Sequence, residues 1–423
     1  MPPADIFDRI EHDVLPVLPG RAHDLARLRA LHAQAGLSTV TVIGKYNHGK
    51  SRLLNELMGE DTFAVADKRE TTGLNVHVKD SVRWLDAPGL DADVGQDDDR
   101  FARQAAWLQS DIRLFVHSAK EGELDAQERS LLQALRADAD STRRQTLLVV
   151  SQVDQVADGA QLQQVLGAIG RQAQGMALNA ASSTRHRQGV DGGKKLLIER
   201  SGIPALRAAL DQALRQVPQA RAHESAQLKS AMHQELLQRE AALGKQNDEL
   251  LGLQAQQRRQ FDQDLGAVFD KARQDLAEVM ATPGPDLALR PDTAHDKFRL
   301  TAGRMERARV QVAYSKVCIQ LNAALTRHGA IELPTAQHTV ARSLNSVMVA
   351  VLGVSVKYRE DLRRMFYDDA GREDLQRDFA RYYEISADRQ ALAARIAQVD
   401  GQRAAVRTAL QSLRALQALE DAA

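Results

Sequence analysis

Cysteine is nearly missing: Cys318 stands alone among 423 residues. That excludes an intrachain disulfide and a zinc site built from cysteines. Aromatic residues supply only 4% of the chain, leaving Ala, Leu, Gln, Arg and Asp prominent, a composition that points to much helix. No sign of charge prevails, with 56 Lys and Arg against 56 Asp and Glu. Bulk attraction to nucleic acid or an anionic membrane is therefore not expected, and such a contact would need a local patch. Long apolar runs are absent too: the longest, residues 347–356, falls far short of the ~20 residues a spanning helix requires. The opening Met-Pro-Pro-Ala-Asp-Ile-Phe-Asp has no basic stretch leading into an apolar one. No export signal is read, and a cytoplasmic protein is expected.

What is present divides the chain by periodicity. Ile6, Phe7, Ile10 and Val14, then Leu25, Leu28 and Leu31, recur at helical spacing on either side of Pro16, Pro19 and Gly20. From residue 37 to 217, short apolar strands alternate with amphipathic helices. The strands are predicted at 38–43, 74–78, 82–86, 111–117, 145–150 and 175–179, and the helices at 50–58, 99–109, 124–137, 159–172 and 203–216. Near-continuous apolar strands such as Thr146-Leu-Leu-Val-Val150 imply a mostly parallel sheet with helices on both faces. Beyond Pro218 the strands stop. A helical stripe runs from Leu228 to Leu276, with a bend or hairpin expected near Gly244 or Gly252. Further helices are predicted at 296–328, 336–366 and 386–420, the last placing Arg403 in an otherwise apolar seam. The expected architecture is an α/β domain over 37–217 and an all-α helical bundle or stalk over 218–423. The N-terminal helices, 1–36, are expected to pack with that bundle.

Four motifs carry chemistry. Gly44-x-x-x-x-Gly49-Lys50-Ser51 follows the first strand and opens a helix. Its glycines let successive backbone N–H groups turn toward phosphate, Lys50 reaches the β and γ phosphates, and the Ser51 hydroxyl takes Mg²⁺. Asp86-Ala-Pro-Gly89 ends the third strand, where an acid can hold Mg²⁺ through water and the Gly89 N–H can sense the γ-phosphate. In Lys68-Arg-Glu-Thr-Thr72-Gly73, Thr71 or, preferably, Thr72 can complete the metal shell while the γ-phosphate is present, which makes that loop a switch. Ser151-Gln152-Val153-Asp154 follows the fifth strand, and the Asp154 carboxylate can accept both guanine N1–H and N2–H.

These motifs, in this order, resemble the translation-factor-like class of GTPases. That class usually reads its base with Asn/Thr-Lys-x-Asp, whereas Ser151 and Gln152 fill the first two positions here. The run from Gly44 to Gly59 is similar to bacterial dynamin-like proteins and to small Era-like GTPases, all TRAFAC-class P-loop proteins. The resemblance implies GTP and GDP as ligands with Mg²⁺, and hydrolysis of GTP. It places the nucleotide on Gly44, Lys45, Tyr46, Asn47, His48, Gly49, Lys50, Ser51, Arg52, Asp86, Gly89, Gln152 and Asp154. The metal falls to Ser51, Thr72 and Asp86. Lys50, Thr72, Asn47 and Arg69 are the catalytic candidates. Leu90 occupies the position of the water-orienting Gln of Ras-like enzymes and cannot orient water, though dynamin-like enzymes lack that Gln as well. Charge on the transferring phosphoryl group must then be met otherwise. A K⁺ ion supported by Asn47 and the cis charge of Arg69 are the two options, and Asn47 acting only as a loop brace is the third reading.

A dynamin-like protein is expected to self-associate through its GTPase face as a homodimer. It would move its helical stalk at a protein partner or, peripherally, at the inner membrane surface. An Era-like role on ribosomes or RNA and a non-hydrolysing interaction module are the alternatives; nucleic acid is not an expected partner. The apolar stretch 346–356 is read as a buried bundle helix, with a membrane-touching tip as the alternative. The basic, glycine-rich stretch 183–195 is read as a mobile loop.

Overall fold

A computed structural model describes residues 3–33, 36–64, 74–87, 104–293, 296, 298–330 and 356–421. The described chain forms two compact units, Met1–Gln238 with Val406–Ala423, and Arg239–Ala405. Its helices are α1 (Pro3–Val14), α2 (Ala22–Ala33), α3 (Lys50–Met58), α4 (Ala126–Thr142), α5 (Gly159–Gln172), α6 (Ser183–Asp191), α7 (Lys195–Arg200), α8 (Ile203–Met280), α9 (Ala302–Arg327), α10 (Arg359–Phe366), α11 (Asp369–Glu384) and α12 (Ala387–Asp421). Among the described residues, no helix is long and apolar enough to cross a membrane.

The first unit is built on six strands: β1 (Ser38–Ile43), β2 (Asn75–Lys79), β3 (Val82–Asp86), β4 (Ile112–Ser118), β5 (Gln145–Ser151) and β6 (Leu178–Ala180). Their order is β2-β3-β1-β4-β5-β6. Only β2 runs antiparallel, against β3, so the expected α/β architecture with a mostly parallel sheet is the observed one. Strand β4 is buried along its whole length. It sends Ile112, Leu114 and Val116 to one face, where α3 and the start of α8 contribute Leu53, Leu57, Leu206 and Leu210. Phe115 faces the other side, among Leu132, Leu135 and Ile169 of α4 and α5. Arg113 and His117 share that second face by the two-residue period of a strand. Each must find a polar partner there.

At the N-terminal end of β4 the partners form a network of ions. Arg113 Nη1 donates to Asp138 at 2.6 Å, and Arg144 Nη2 to the other oxygen of the same carboxylate at 2.8 Å. Arg27 of α2 forks onto Glu224 of α8 at 2.9 and 2.8 Å, both residues being 2% exposed. Asp111 accepts from Arg221 of α8 and from the Thr39 backbone. A single turn of π-helix, Gln104–Gln109, ends here with carbonyls that have no place in a helical ladder. Arg144 takes that of Trp107 and Arg27 that of Leu108. The N-terminal helices are tied to the same unit at two further points, Arg21 with Glu235 and Ser412 with Asp13.

Three sequence expectations need correction. The helix predicted to close at residue 216 continues through Pro218 to Met280. Buried Ala213, Val217 and Ala220 hold it there, against the roughly 3 kcal/mol that an interior proline costs. No hairpin interrupts α8 at Gly244 or Gly252. Gly244 instead leaves room for Arg403, whose guanidinium would sit 3.4 Å from any Cβ added there. The stretch 183–195, read as a mobile loop, forms α6 and enters α7. Ser182 caps α6 by accepting from Arg185 N. Gly189 lets the two helices touch, because its missing Cβ would meet Ile198 at 2.8 Å. Helix α11 was not anticipated at all, and the apolar reading of 346–355 lies outside the described residues.

The second unit is wholly helical where described. Phe261, Phe269 and Leu276 of α8 pack with Val310, Val317 and Leu321 of α9 and with Phe366, Phe379 and Tyr383. Phe261 and Tyr383 stack at 4.1 Å. The seam of α12 buries Ile396 and Val399 with Leu250.

Removing one member of the Arg27–Glu224 pair leaves the other buried charge only its longer ionic contact, Arg144 at 3.5 Å from Glu224 or Asp111 at 3.7 Å from Arg27. Breaking such a pair costs about 3–5 kcal/mol. Arg27→Ala should therefore lower the urea midpoint by that equivalent, and the double variant Arg27→Met/Glu224→Met should recover most of the loss. A double variant no more stable than Arg27→Ala would show that packing, not the stranded charge, sets the penalty.

Candidate functional site

Every loop of interest leaves the C-terminal end of a parallel strand. The chain departs from β1 toward β3 and from β4 toward β5, so their ends bracket the point where the sheet changes winding direction, the usual place for a ligand crevice. The loop after β1 lies close against β4. A Cβ on Gly44 would come within 2.2 Å of the Val116 carbonyl, and the Gly44 φ of +151° belongs to glycine. Gly49, at φ +78°, turns the chain into α3 and stands at its N-cap without a capping side chain. The first N–H groups of α3 are thus left to whatever binds the loop. Asn47 holds a left-handed φ of +59° although it is not glycine, a strained conformation of the kind that collects at binding loops.

The sequence motifs converge on this loop. Lys50 Nζ donates to the Lys45 carbonyl at 2.8 Å, which folds the ammonium over the loop it would serve. Ser51 Oγ donates to Asp86 Oδ2 at 2.6 Å. Asp86 is 1% exposed, and its other oxygen, Oδ1, is buried with no hydrogen-bond partner among the described residues. Burial raises the Asp86 carboxyl above its ordinary range, opposed by the Ser51 hydrogen bond and the Lys50 charge. A hydroxyl beside an under-coordinated carboxylate is an all-oxygen donor set of the sort Mg²⁺ takes together with water and phosphate. The residues therefore fit the cation that the motif implies.

Gln152 joins the base-reading stretch to the loop. Its Nε2 donates to the Asn47 carbonyl at 2.8 Å, and its Oε1 accepts from Ser118 Oγ at 2.6 Å. Ser151 Oγ donates to the His48 carbonyl at 2.7 Å. Asp154 lies next to these, half-buried on the turn Val153–Gln155. Lys45 pairs with Asp125, the N-cap of α4, and that contact raises its ammonium. Tyr46 is half-buried, and Arg52 is exposed on the first turn of α3. Arg69, Thr72, Gly89 and Leu90 lie outside the described residues.

Sequence reasoning missed the polar cluster under the loop. His48 is 0% exposed, with Nδ1 3.1 Å from the Val116 carbonyl. His117 Nδ1 lies 2.8 Å from Glu128 Oε1 and Nε2 3.0 Å from the Gly122 carbonyl. Burial pushes the His117 imidazolium down, but the Glu128 carboxylate and the Gly122 carbonyl outweigh it and the net shift is upward. Burial lowers the His48 imidazolium, and its acidic neighbours do not reverse that. The one signal available was a histidine inside the strand Ile112–Ser118, where every other long side chain except Arg113 is apolar.

A family model described as 50S ribosome-binding GTPase matches residues 39–152. GTPase Der of Streptococcus mutans is 33% identical over 127 residues, 28% of each chain. Among solved structures, an Era variant of Aquifex aeolicus bound to GDP·AlF₄⁻ aligns with 38% of this chain and 56% of its own, at 21% identity and a TM-score of 0.31. An oligomerised bacterial dynamin pair aligns with 95% of this chain and 79% of its own, at 14% identity and a TM-score of 0.37. The uncharacterised protein ACIAD1443 of Acinetobacter baylyi is 51% identical over 410 residues, 97% of both chains.

Asp86 yields a stability test. A carboxyl raised in the folded state lends stability when protonated and loses it as pH climbs from the ordinary carboxylate range through the raised value. Asp86→Asn removes the buried charge while keeping an acceptor for Ser51. The nucleotide-free variant should gain about 1–3 kcal/mol at neutral pH, flattening the decline of melting temperature above the carboxylate range. A melting temperature equal to or below that of the parent at pH 7 would contradict the assignment. With the loop, the Ser51–Asp86 pair and the 39–152 match in place, this chain is a member of the family that includes the Acinetobacter protein and carries a P-loop GTPase domain of the TRAFAC class.

Proposed function

We propose that the protein binds GTP with Mg²⁺, hydrolyses it to GDP and phosphate, and uses the nucleotide state to drive self-association and movement of its helical region in a dynamin-like manner. The observation that carries the reading is the Asp86 carboxylate, buried beside Ser51 with one oxygen unmatched at the mouth of the loop. Phosphates would take the N–H groups that open α3, and Lys50 would exchange the Lys45 carbonyl for phosphate oxygen. Bound Mg²⁺ would supply charge neutralisation across the phosphates, with Ser51, Asp86 and Thr72 as its side-chain ligands. Asp154 would accept from the guanine edge, and Gln152 would report base occupancy to the loop through the Asn47 carbonyl.

Hydrolysis needs positive charge near the transferring phosphoryl group, which Leu90 cannot supply. Asn47 supporting K⁺ and Arg69 acting in cis are the two sources carried forward from the sequence. A homodimer across the nucleotide face would enclose either. The helical region would then act on a protein partner or at the inner face of the membrane. Action on the ribosome is the second reading, favoured by the description of the family matched over 39–152.

Fluorescent GTP should bind in a Mg²⁺-dependent way, and Lys50→Ala should weaken it by at least a hundredfold. Gln152→Ala, which removes one hydrogen bond to the loop, should cost about three- to tenfold. Turnover should rise faster than linearly with protein concentration and be higher in K⁺ than in Na⁺, with that preference lost in Asn47→Ala. Equal rates in both salts would leave Arg69 as the charge source. Flotation with liposomes and co-sedimentation with ribosomes, each with and without a GTP analogue, separate the two partners. Absence of Mg²⁺-dependent binding defeats the whole reading.

A further inference from the structure

We propose that His48, His117 and Glu128 form a site for one transition-metal dication of the zinc class, separate from the Mg²⁺ position at Ser51 and Asp86. These three are buried and offer donor atoms that all lie within 4.8 Å of one another. They come from three elements: the loop after β1, the end of β4, and the first turn of α4.

The donor geometry supports a metal. Glu128 Oε1 lies 3.7 Å from His48 Nδ1 and 2.8 Å from His117 Nδ1. Tetrahedral zinc, with bonds of about 2.0–2.1 Å, sets neighbouring ligand atoms roughly 3.3 Å apart. These two separations straddle that figure, and the three donor atoms all fall within 4.8 Å.

The outer contacts are those of ligating histidines, which usually pass their second ring N–H to a carboxylate or carbonyl. His48 Nε2 lies 3.0 Å from Glu121 Oε2, and His117 Nε2 lies 3.0 Å from the Gly122 carbonyl. Glu128 is braced in the same way: its Oε2 accepts from the Asp125 backbone in the capping box of α4, leaving Oε1 for the metal. A metal would take the place of the proton shared by His117 Nδ1 and Glu128 Oε1 and of the His48 Nδ1 contact to the Val116 carbonyl. His48 Nε2 is fully buried, and among the described residues the Glu121 carboxylate is its nearest ion-pair partner. Two imidazoles and one carboxylate select zinc, cobalt or nickel over magnesium, and three protein donors leave a fourth place for water. A metal here would pin the loop, through His48, to β4 and α4.

The test uses the full chain without nucleotide, stripped with chelator and desalted. Titration with Zn²⁺ should leave one equivalent on the protein after gel filtration and raise the melting temperature. Co²⁺ should give the intense visible bands of a four-coordinate site. His117→Gln and Glu128→Gln should each weaken uptake about 10–100-fold and abolish the cobalt bands, with the circular dichroism spectrum retained. The chain holds 12 histidines, so surface binding is the rival. Retention of zinc undiminished in a His48→Asn/His117→Gln double variant would place the metal elsewhere and overturn the proposal. No retained zinc at micromolar concentration would do the same. Should the double variant not fold, Glu128→Gln decides, because its amide still bonds His117 and the Asp125 backbone. Uptake is read without nucleotide, so its failure leaves the GTP reading standing, and failure of GTP binding leaves the metal site standing.

Discussion

Strand β4 has no water on either face, and whatever polar group it carries must be answered by a neighbouring element. It carries one such group near each end of the same face. Arg113 is answered by Asp138 at the C-terminal part of α4, and His117 by Glu128 at the N-terminal part of that helix. The strand and α4 are therefore clamped at two points, which fixes the register of one against the other. The phosphate loop leans on the same strand, with Gly44 and His48 both against the Val116 carbonyl. Loop, strand and helix thus form one rigid corner of the first unit.

The ionic network at the far end of β4 is costly. Burial lowers the Arg113 guanidinium, which has two nitrogens without partners, and brings Arg144 down to about 10. Replacing such ions by well-packed apolar side chains is often neutral or stabilising in proteins, so stability alone is a poor reason to keep them. Direction is a better one. A guanidinium fork satisfies a carboxylate in one plane only, and Arg27 on Glu224 ties α2 to α8 in one orientation beside β4. Apolar contacts such as those of Leu206 and Leu210 would tolerate sliding; the fork does not.

How much of this was legible depended on whether the signal was local. The run Ser38 to Met58 gave β1, the loop and α3 with their observed bounds, because strand period, turn glycines and helix start are all written in consecutive residues. The six strands followed for the same reason, with β6 displaced toward Ala180. Glycine misled twice. At Gly189 and Gly244 it marks where a neighbour comes close, Ile198 in one case and Arg403 in the other, whereas a glycine-rich sequence reads as a loop or a break. The covering of α6 was equally invisible: His186 is buried on Glu56 of α3, a partner 130 residues away. Motifs foretold that Lys50, Ser51, Asp86 and Gln152 would meet. They could not foretell that Gln152 would reach the Asn47 carbonyl, since Ser-Gln departs from the usual Asn/Thr-Lys pair at that position.

That departure bears on how the loop is held. A lysine in place of Gln152 would bring a positive charge to the crevice, whereas the amide both donates and accepts, and here it does both at once, to Asn47 and from Ser118. The loop is thereby suspended between β4 and the stretch after β5. Asn47 at a positive φ, the Lys50 ammonium on a backbone carbonyl and the buried Asp86 carboxylate are all set in the folded loop. A loop held at fixed positions needs less ordering on binding a ligand, which is how preorganisation favours affinity. The loop meets β4 at the Val116 carbonyl and the turn after β5 at Gln152.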